Sequence, residues 1–286
     1  MIRINNIHLP LDYTSETVLN KAAKSINVDK KFFKSCTIFK RSVDARKKDN
    51  IFFLATVEAE LIINEEKICK KFKNAEITEK YEYNVNDFKG TVSPVVVGAG
   101  PAGLFAALIL AQSGANPILV ERGRDVDSRT EDVHKFWQSG VLDTTSNVQF
   151  GEGGAGTFSD GKLTTRIKDP RCRKVLEEMV AAGAPEEILY DAKPHIGTDL
   201  LRGVVKQLRE KIISLGGEVR FFAKVTGFQW ENDRVQAVFL QNGEKIEAED
   251  VVLALGHSAR DTFTLLYEEK FALEQKPFAM GVRIEH

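Results

Sequence analysis

The sequence predicts an α/β protein in which a Rossmann-like three-layer domain follows a small α+β domain. Three stretches carry that prediction. Val95–Val97 is a short, wholly apolar strand that runs into Gly98, Gly100 and Gly103, and an Ala/Leu-rich helical stretch begins there and ends near Gly114. A second apolar run, Ile118–Val120, ends on Glu121, 23 positions after Gly98, the spacing of a dinucleotide-binding βαβ unit. Val251–Leu255 is continuously apolar, as expected of a strand buried on both faces of a parallel sheet, and it stops at Gly256.

Residues 1–88 read as the small α+β domain, with a ferredoxin-like arrangement expected. Ile2, Ile4 and Ile7 mark a first strand; Thr14 or Ser15 caps a helix whose Val18, Leu19, Ala22 and Ile26 share one face. Thr37–Val43 and Ile51–Leu61 form a hairpin through Lys47–Asn50. The basic residues Lys40, Arg41, Arg46, Lys47 and Lys48 read as a solvated turn among Glu58, Glu60, Glu65 and Glu66. Their alternative is a patch for RNA or a protein partner, with the dinucleotide domain as a non-catalytic scaffold. Tyr81–Thr91 is polar and without period, which makes it a linker and assigns 89–275 to the second domain.

Within the βαβ unit each glycine has a physical task. Gly98 takes the tight turn, Gly100 lets the backbone approach a pyrophosphate, and Gly103 lets helix and strand pack closely. Pro101 and Ala102 open the helix, whose free N–H groups and positive dipole end favour an anion. Glu121 then accepts ribose hydroxyls, with Arg122 and Gly123 beside it. Pro94–Ala111 is apolar enough to mimic a membrane span, but its glycines and internal proline break it, so it reads as a buried strand and helix.

Asp125–Gln138 is a charged helical stretch with Val126, Val133, Phe136 and Trp137 as a partial apolar face. Phe150–Lys162 then carries five glycines, too many for a helix or strand interior. Gly153, Gly154, Ala155 and Gly156 read as a backbone-lined wall against a flat or phosphorylated ligand. Thr157, Ser159 and Asp160 supply hydrogen bonds there, and Lys162 a cation. Asp169-Pro170 reads as a cap and first turn of a helix ending at Gly183, and Thr198 as the cap of another with Leu201, Val204, Val205, Leu208, Ile212 and Leu215 inward. Glu218–Phe222 beside Val225–Trp230, and Arg234–Leu240 joined to Glu244–Ala248 through Asn242-Gly243, complete the β content.

The charge balance, 40 basic against 41 acidic residues, gives no net field that points to nucleic acid or membrane. The first ten residues lack the apolar core of a signal peptide, so a cytoplasmic location is expected. Cys36, Cys69 and Cys172 are odd in number and far apart, which indicates neither a disulfide framework, nor a dithiol redox centre, nor a zinc site.

Taken together, Gly98–Gly103 with Glu121–Gly123, the stretch Thr198–Val225, and Val251–Gly256 resemble the FAD-binding fold of the glutathione-reductase-like flavoproteins. Gly151–Lys162 and Gly256-His-Ser-Ala-Arg-Asp-Thr262 look more closely like the bacterial family of poorly characterised FAD-dependent (NAD/FAD-utilising) dehydrogenases. The resemblance covers Thr91–His286. It implies an FAD-dependent oxidoreductase acting on a small-molecule substrate, with NADH or NADPH as candidate reductant. It places Glu121 on the adenosine ribose, the backbone near Val225 at the adenine, and the Gly153–Lys162 loop at the isoalloxazine. Lys162, His257 and Asp160 are the candidates for a catalytic part. Such flavoproteins close their site with a later segment, so residues 276–286, with Phe278–Ile284 as a first strand, are expected to begin a substrate domain that this chain leaves incomplete.

Overall fold

The computed structural model describes residues 1–159, 161–282 and 284. Strand β1 (Ile2–Leu9) buries Ile2, Ile4, Ile7 and Leu9. The odd step between Ile4 and Ile7 is a bulge, where Asn6 takes φ +59°. Helix α1 (Ser15–Ser25) starts at Thr14, whose hydroxyl accepts the Thr17 N–H, and packs Val18 and Ala22 into the core. Strands β2 (Phe33–Asp44) and β3 (Phe52–Leu61) form the expected hairpin, paired from Phe33 with Leu61 to Asp44 with Phe52. Helix α2 (Glu65–Lys71) and strand β4 (Ala75–Ile77) complete an antiparallel sheet in the order β2-β3-β1-β4. Their shortness hid both from a periodicity reading: α2 brings just two of its apolar side chains, Ile68 and Cys69, against the core and is tied down further by Glu65, which accepts the Leu61 N–H.

Strand β5 (Val95–Val97), helix α3 (Pro101–Gln112) and strand β6 (Ile118–Val120) follow as predicted. Helix α4 (Val126–Ser139) is capped by the Asp125 carboxylate, which accepts the Asp127 and Ser128 N–H groups. Helix α5 (Cys172–Ala181) begins two residues after Pro170; Asp169 and Pro170 form the turn that leads into it, where the Asp169 carboxylate accepts the Arg171 N–H and guanidinium. In helix α6 (Thr198–Ser214) Thr198 is the first helical residue and Gly197, at φ +86°, is the cap. Its inward face is the predicted one, except that Leu215 is exposed.

Strand β7 (Glu218–Arg220) lies parallel to β6 and not beside the next strand. Just past it Phe222 takes φ +52°, and the Phe222 and Ala223 N–H groups bond the Gly123 and Glu121 carbonyls, so the chain leaves one sheet for another. Strands β8 (Val225–Glu231), β9 (Arg234–Leu240) and β10 (Lys245–Glu247) form that second, antiparallel sheet. Strand β11 (Val251–Leu253) returns beside β5, giving a parallel sheet ordered β11-β5-β6-β7, and helix α7 (Arg260–Glu268) follows. The expectation of a strand buried on both faces fails for β11. It is an edge strand with Val252 and Leu253 each 37% exposed, whereas Val95 and Val96 of the interior β5 are fully buried.

By its contacts the chain divides into two compact units. The first comprises Met1–Phe88, Gln112–Gly114 and Ala155–Leu215; the second comprises Lys89–Ala111, Ala115–Gly154 and Gly216–His286. In the first, Arg41 joins β2 to residues 190–192. Its guanidinium grips Asp191 at 2.7 and 2.9 Å, donates to the Tyr13 hydroxyl at 2.7 Å, and lies over the Phe53 and Tyr190 rings. A buried Glu178 ties α5 to α6 through Lys211 at 2.7 Å and also takes Lys174 of its own helix at 2.7 Å and Gln112 at 2.8 Å. Burial pushes its carboxyl up, but these donors outweigh that and hold it down to about 2. In the second unit Val95, Val97 and Val120 of the parallel sheet face Phe228, Val238, Leu240 and Ile246 of the antiparallel one. Among the described residues no helix is long and apolar enough to cross a membrane.

Candidate functional site

The turn from Gly98 to Gly103 is shaped by two forbidden methyl groups and one permitted one. Gly98 takes φ +102°, and a Cβ there would stand 2.6 Å from the Ala254 carbonyl oxygen. A Cβ on Gly103 would stand 1.7 Å from the Gly98 carbonyl oxygen, so only glycine lets α3 seat on the turn. Gly100 differs: a Cβ there would meet nothing within 4 Å. The space above it is open, as the approach of a pyrophosphate requires. Pro101 begins α3, where a missing N–H costs nothing, and the amides of Ala102 and Gly103 belong to the first turn, which has no intrahelical acceptors to offer them.

Glu121, at the tip of β6, is 5% exposed. Its Oε2 accepts the Ala99 N–H at 2.8 Å, and its Oε1 accepts those of Gly123 at 2.9 Å and Gly151 at 3.0 Å. A carboxylate offers about four acceptor positions, so one, on Oε2, is left for a sugar hydroxyl. The residue read as a ribose acceptor is thus also a knot between three backbone segments. Gly123 and Gly151 touch so closely that a Cβ on Gly123 would lie 2.6 Å from the Gly151 Cα. The Gly153 N–H donates to the Ala99 carbonyl at 2.8 Å, and a Cβ on Gly154 would be 3.1 Å from the Pro101 ring. The glycine turn, Glu121, Gly123, Gly153 and Gly154 therefore form one constellation.

Arg122, predicted beside the cofactor, is committed elsewhere within this unit. Its guanidinium pairs with Asp261 at 3.0 and 3.1 Å, donates to the Thr262 hydroxyl, and lies over the Phe150 ring. Asp261 also takes Lys224 at 2.7 Å. Burial would raise its carboxyl, yet Arg122 and Lys224 hold it well below the usual carboxylate range. Val225 points into the core at 3% exposure while its backbone pairs with Leu240. Gly256, at φ +66°, is exposed, and so is His257, whose Nδ1 lies 3.3 Å from the Ser258 hydroxyl.

The remaining predicted residues fall in the first unit. Ala155–Phe158 is a 3-10 turn in which Ala155 and Gly156 are exposed and Thr157 is 1% exposed, its hydroxyl without a hydrogen-bond partner among the described residues. Ser159 turns its hydroxyl onto the Gly156 carbonyl at 2.8 Å. Lys162 is exposed and bridges His195 in an antiparallel pair. Asp160 lies outside the described residues. The basic cluster is partly spent, since Arg46 pairs with Asp44 at 2.6 Å and Arg41 with Asp191.

Two residues of the second unit escaped the sequence reading. Arg129 and Glu152 are both fully buried, and the Glu152 Oε2 accepts the Val126 N–H at 2.7 Å. Burial pulls the Arg129 guanidinium down to about 10 against the opposing pull of Glu121 and Glu152. A signal was present: Arg129 stands three residues after Val126 and four before Val133, on the apolar side of α4. No group of three or more metal-ligating side chains occurs among the described residues.

The family model described as pyridine nucleotide-disulphide oxidoreductase matches residues 92–276, the span that holds this constellation. The chain belongs to that family. A domain of unknown function matches residues 1–60. The chain is 49% identical to an uncharacterized protein of Clostridium beijerinckii over 290 residues, covering all of this chain and 54% of that protein. It is 31% identical over 206 residues to an FAD-dependent monooxygenase of Hypoxylon pulicicidum, covering 68% of this chain and 42% of that one. The chain spans about half the length of the curated relatives it matches. A glycine oxidase from Bacillus cereus is similar in structure with a TM-score of 0.41 at 16% identity, over 62% of this chain and 59% of that one. Despite the family's name, the three thiols here are free, and burial pushes that of Cys36 up to about 11, far from a reactive thiolate.

Proposed function

We propose that the protein is an FAD-dependent oxidoreductase. The observation that carries this is the open space over Gly100, framed by two glycines that cannot bear a methyl group and by a strand-tip carboxylate with one acceptor position left. The residues present fit the group. Gly100 and the first-turn amides of α3 would hold the pyrophosphate, Glu121 a ribose hydroxyl, and Gly153 and Gly154 would wall the turn. Bound FAD supplies hydride or electron transfer, and the chain supplies position and charge. The name of the Hypoxylon relative supports the choice of flavin.

The finer placement, among the bacterial FAD-dependent (NAD/FAD-utilising) dehydrogenases, is supported by Gly151–Lys162 and Gly256–Thr262. With it go a small-molecule substrate, NADH or NADPH as reductant, and Lys162, Asp160 and His257 as groups to test near the reacting atoms. Residues 1–88 are proposed as an accessory domain, and a cytoplasmic setting is supported by three thiols that are all free.

The test is an absorption spectrum of the full-length protein before and after anaerobic addition of NADH or NADPH. Flavin bands that bleach with one nicotinamide are expected. A protein that holds no flavin after reconstitution would overturn the proposal.

A further inference from the structure

Arg129 has no place in the constellation as read from the sequence, yet four carbonyl oxygens of one loop converge on it. Nε donates to Asn147 at 2.8 Å, one terminal nitrogen donates to Val148 at 3.0 Å, and the other to Gly151 at 3.3 Å and to Glu152. Gly151 rests on the arginine stem: at φ +116°, a Cβ there would stand 2.4 Å from the Arg129 Cδ. The same loop then reaches the glycine turn twice. The Gly151 N–H bonds Glu121, and the Gly153 N–H bonds the carbonyl of Ala99, whose own N–H bonds Glu121. A buried cation persists only if its donors are met, and a carbonyl shell with two nearby carboxylates meets them. Lysine would bring the charge without the planar five-donor fork.

We propose that Arg129 is the positioning residue of the dinucleotide site: it winds residues 147–152 around its guanidinium and so sets the Gly151 and Gly153 amides on Glu121 and Ala99. The functional part holds only if the turn is the FAD site. Arg129 touches no reacting group; it acts through the loop. It leaves Glu121 with one acceptor direction and keeps the turn in its binding shape before the ligand arrives.

The test compares full-length wild type, Arg129→Lys and Arg129→Ala by amide hydrogen exchange without ligand and by FAD titration. In both variants the Ala99, Gly123, Gly151 and Gly153 amides should exchange roughly tenfold faster or more while those of α1 and the β2–β3 hairpin keep their rates, and the FAD dissociation constant should rise by a similar factor. Millimolar guanidinium, but not sodium chloride, should restore Arg129→Ala. Faster exchange confined to 147–152, or Arg129→Lys binding FAD as wild type does, would overturn the proposal. A wild type that takes no FAD would remove the cofactor reading instead, and the exchange pattern would still decide the role of Arg129. If neither variant folds, native-state exchange of the wild type decides: the Arg129 Nε–H must open together with the Ala99 and Gly123 amides, and their independent opening would refute the link.

Discussion

Alanine at Gly103 and alanine at Gly100 should act on different properties, stability in one case and cofactor binding in the other, because the two positions differ in what surrounds them. At Gly103 the new methyl carbon would lie 1.7 Å from the Gly98 carbonyl oxygen, where ordinary contact begins at 3.4 Å. Restoring contact means moving α3 off the turn by about 1.7 Å, more than the 1.5 Å rise of one helical residue. The clash is backbone against a fixed methyl, so no rotamer relieves it. Overpacking typically costs about 1–3 kcal/mol and this case belongs at the upper end. At about 2–4 °C per kcal/mol for chains of this size, the unfolding midpoint should fall by roughly 6–12 °C.

At Gly100 the methyl would meet nothing within 4 Å, and the residue is not among those with positive φ. Stability should then change by no more than about 0.5 kcal/mol. The same methyl stands where the pyrophosphate must approach. Losing two charge-assisted hydrogen bonds of about 1.5 kcal/mol each weakens FAD roughly a hundredfold. Thermal unfolding followed by circular dichroism and FAD titration of the apo protein separate the two effects. A Gly103→Ala protein with the wild-type midpoint would refute the packing argument, and a Gly100→Ala protein that binds FAD like wild type would refute the pyrophosphate site.

Two further outcomes follow from titratable groups withdrawn from water, one buried and one half-buried. The Glu178 carboxylate is held at about 2 against an ordinary 4.5, so its stabilisation is complete above pH 4.5 and lost as pH falls toward 2. Glu178→Gln should cost about 1–3 kcal/mol near neutral pH and should flatten the loss of thermal midpoint between pH 5 and pH 3; curves that stay parallel to wild type would contradict it. Cys36, with its thiol at about 11, should react with iodoacetamide at pH 8 roughly a hundredfold more slowly than free cysteine. Mass spectrometry of the labelled peptide checks this, and a rate matching the free amino acid would refute the desolvation of this half-buried thiol.

What the sequence determined by itself was whatever a few neighbouring residues decide. The glycine turn follows from backbone freedom at Gly98 and Gly103, the β2–β3 hairpin from two apolar runs around a polar turn, and the inward face of α6 from spacing alone. Tertiary structure decided the pairings between distant residues, for which local chemistry carries no address. Arg122 meets Asp261 across 139 positions and Arg41 meets Asp191 across 150, though nothing near either arginine names its partner. Glu121 was legible as a strand-tip acid, but two of its three backbone donors, Ala99 and Gly151, come from segments that only the fold brings together. β11 and β5 read alike as apolar runs, and their difference in burial comes from sheet order, which is global. Arg129 stood between: its spacing put it on the apolar side of α4, but a buried arginine is tolerable only where carbonyl groups from elsewhere in the chain gather around it, and those exist only after folding.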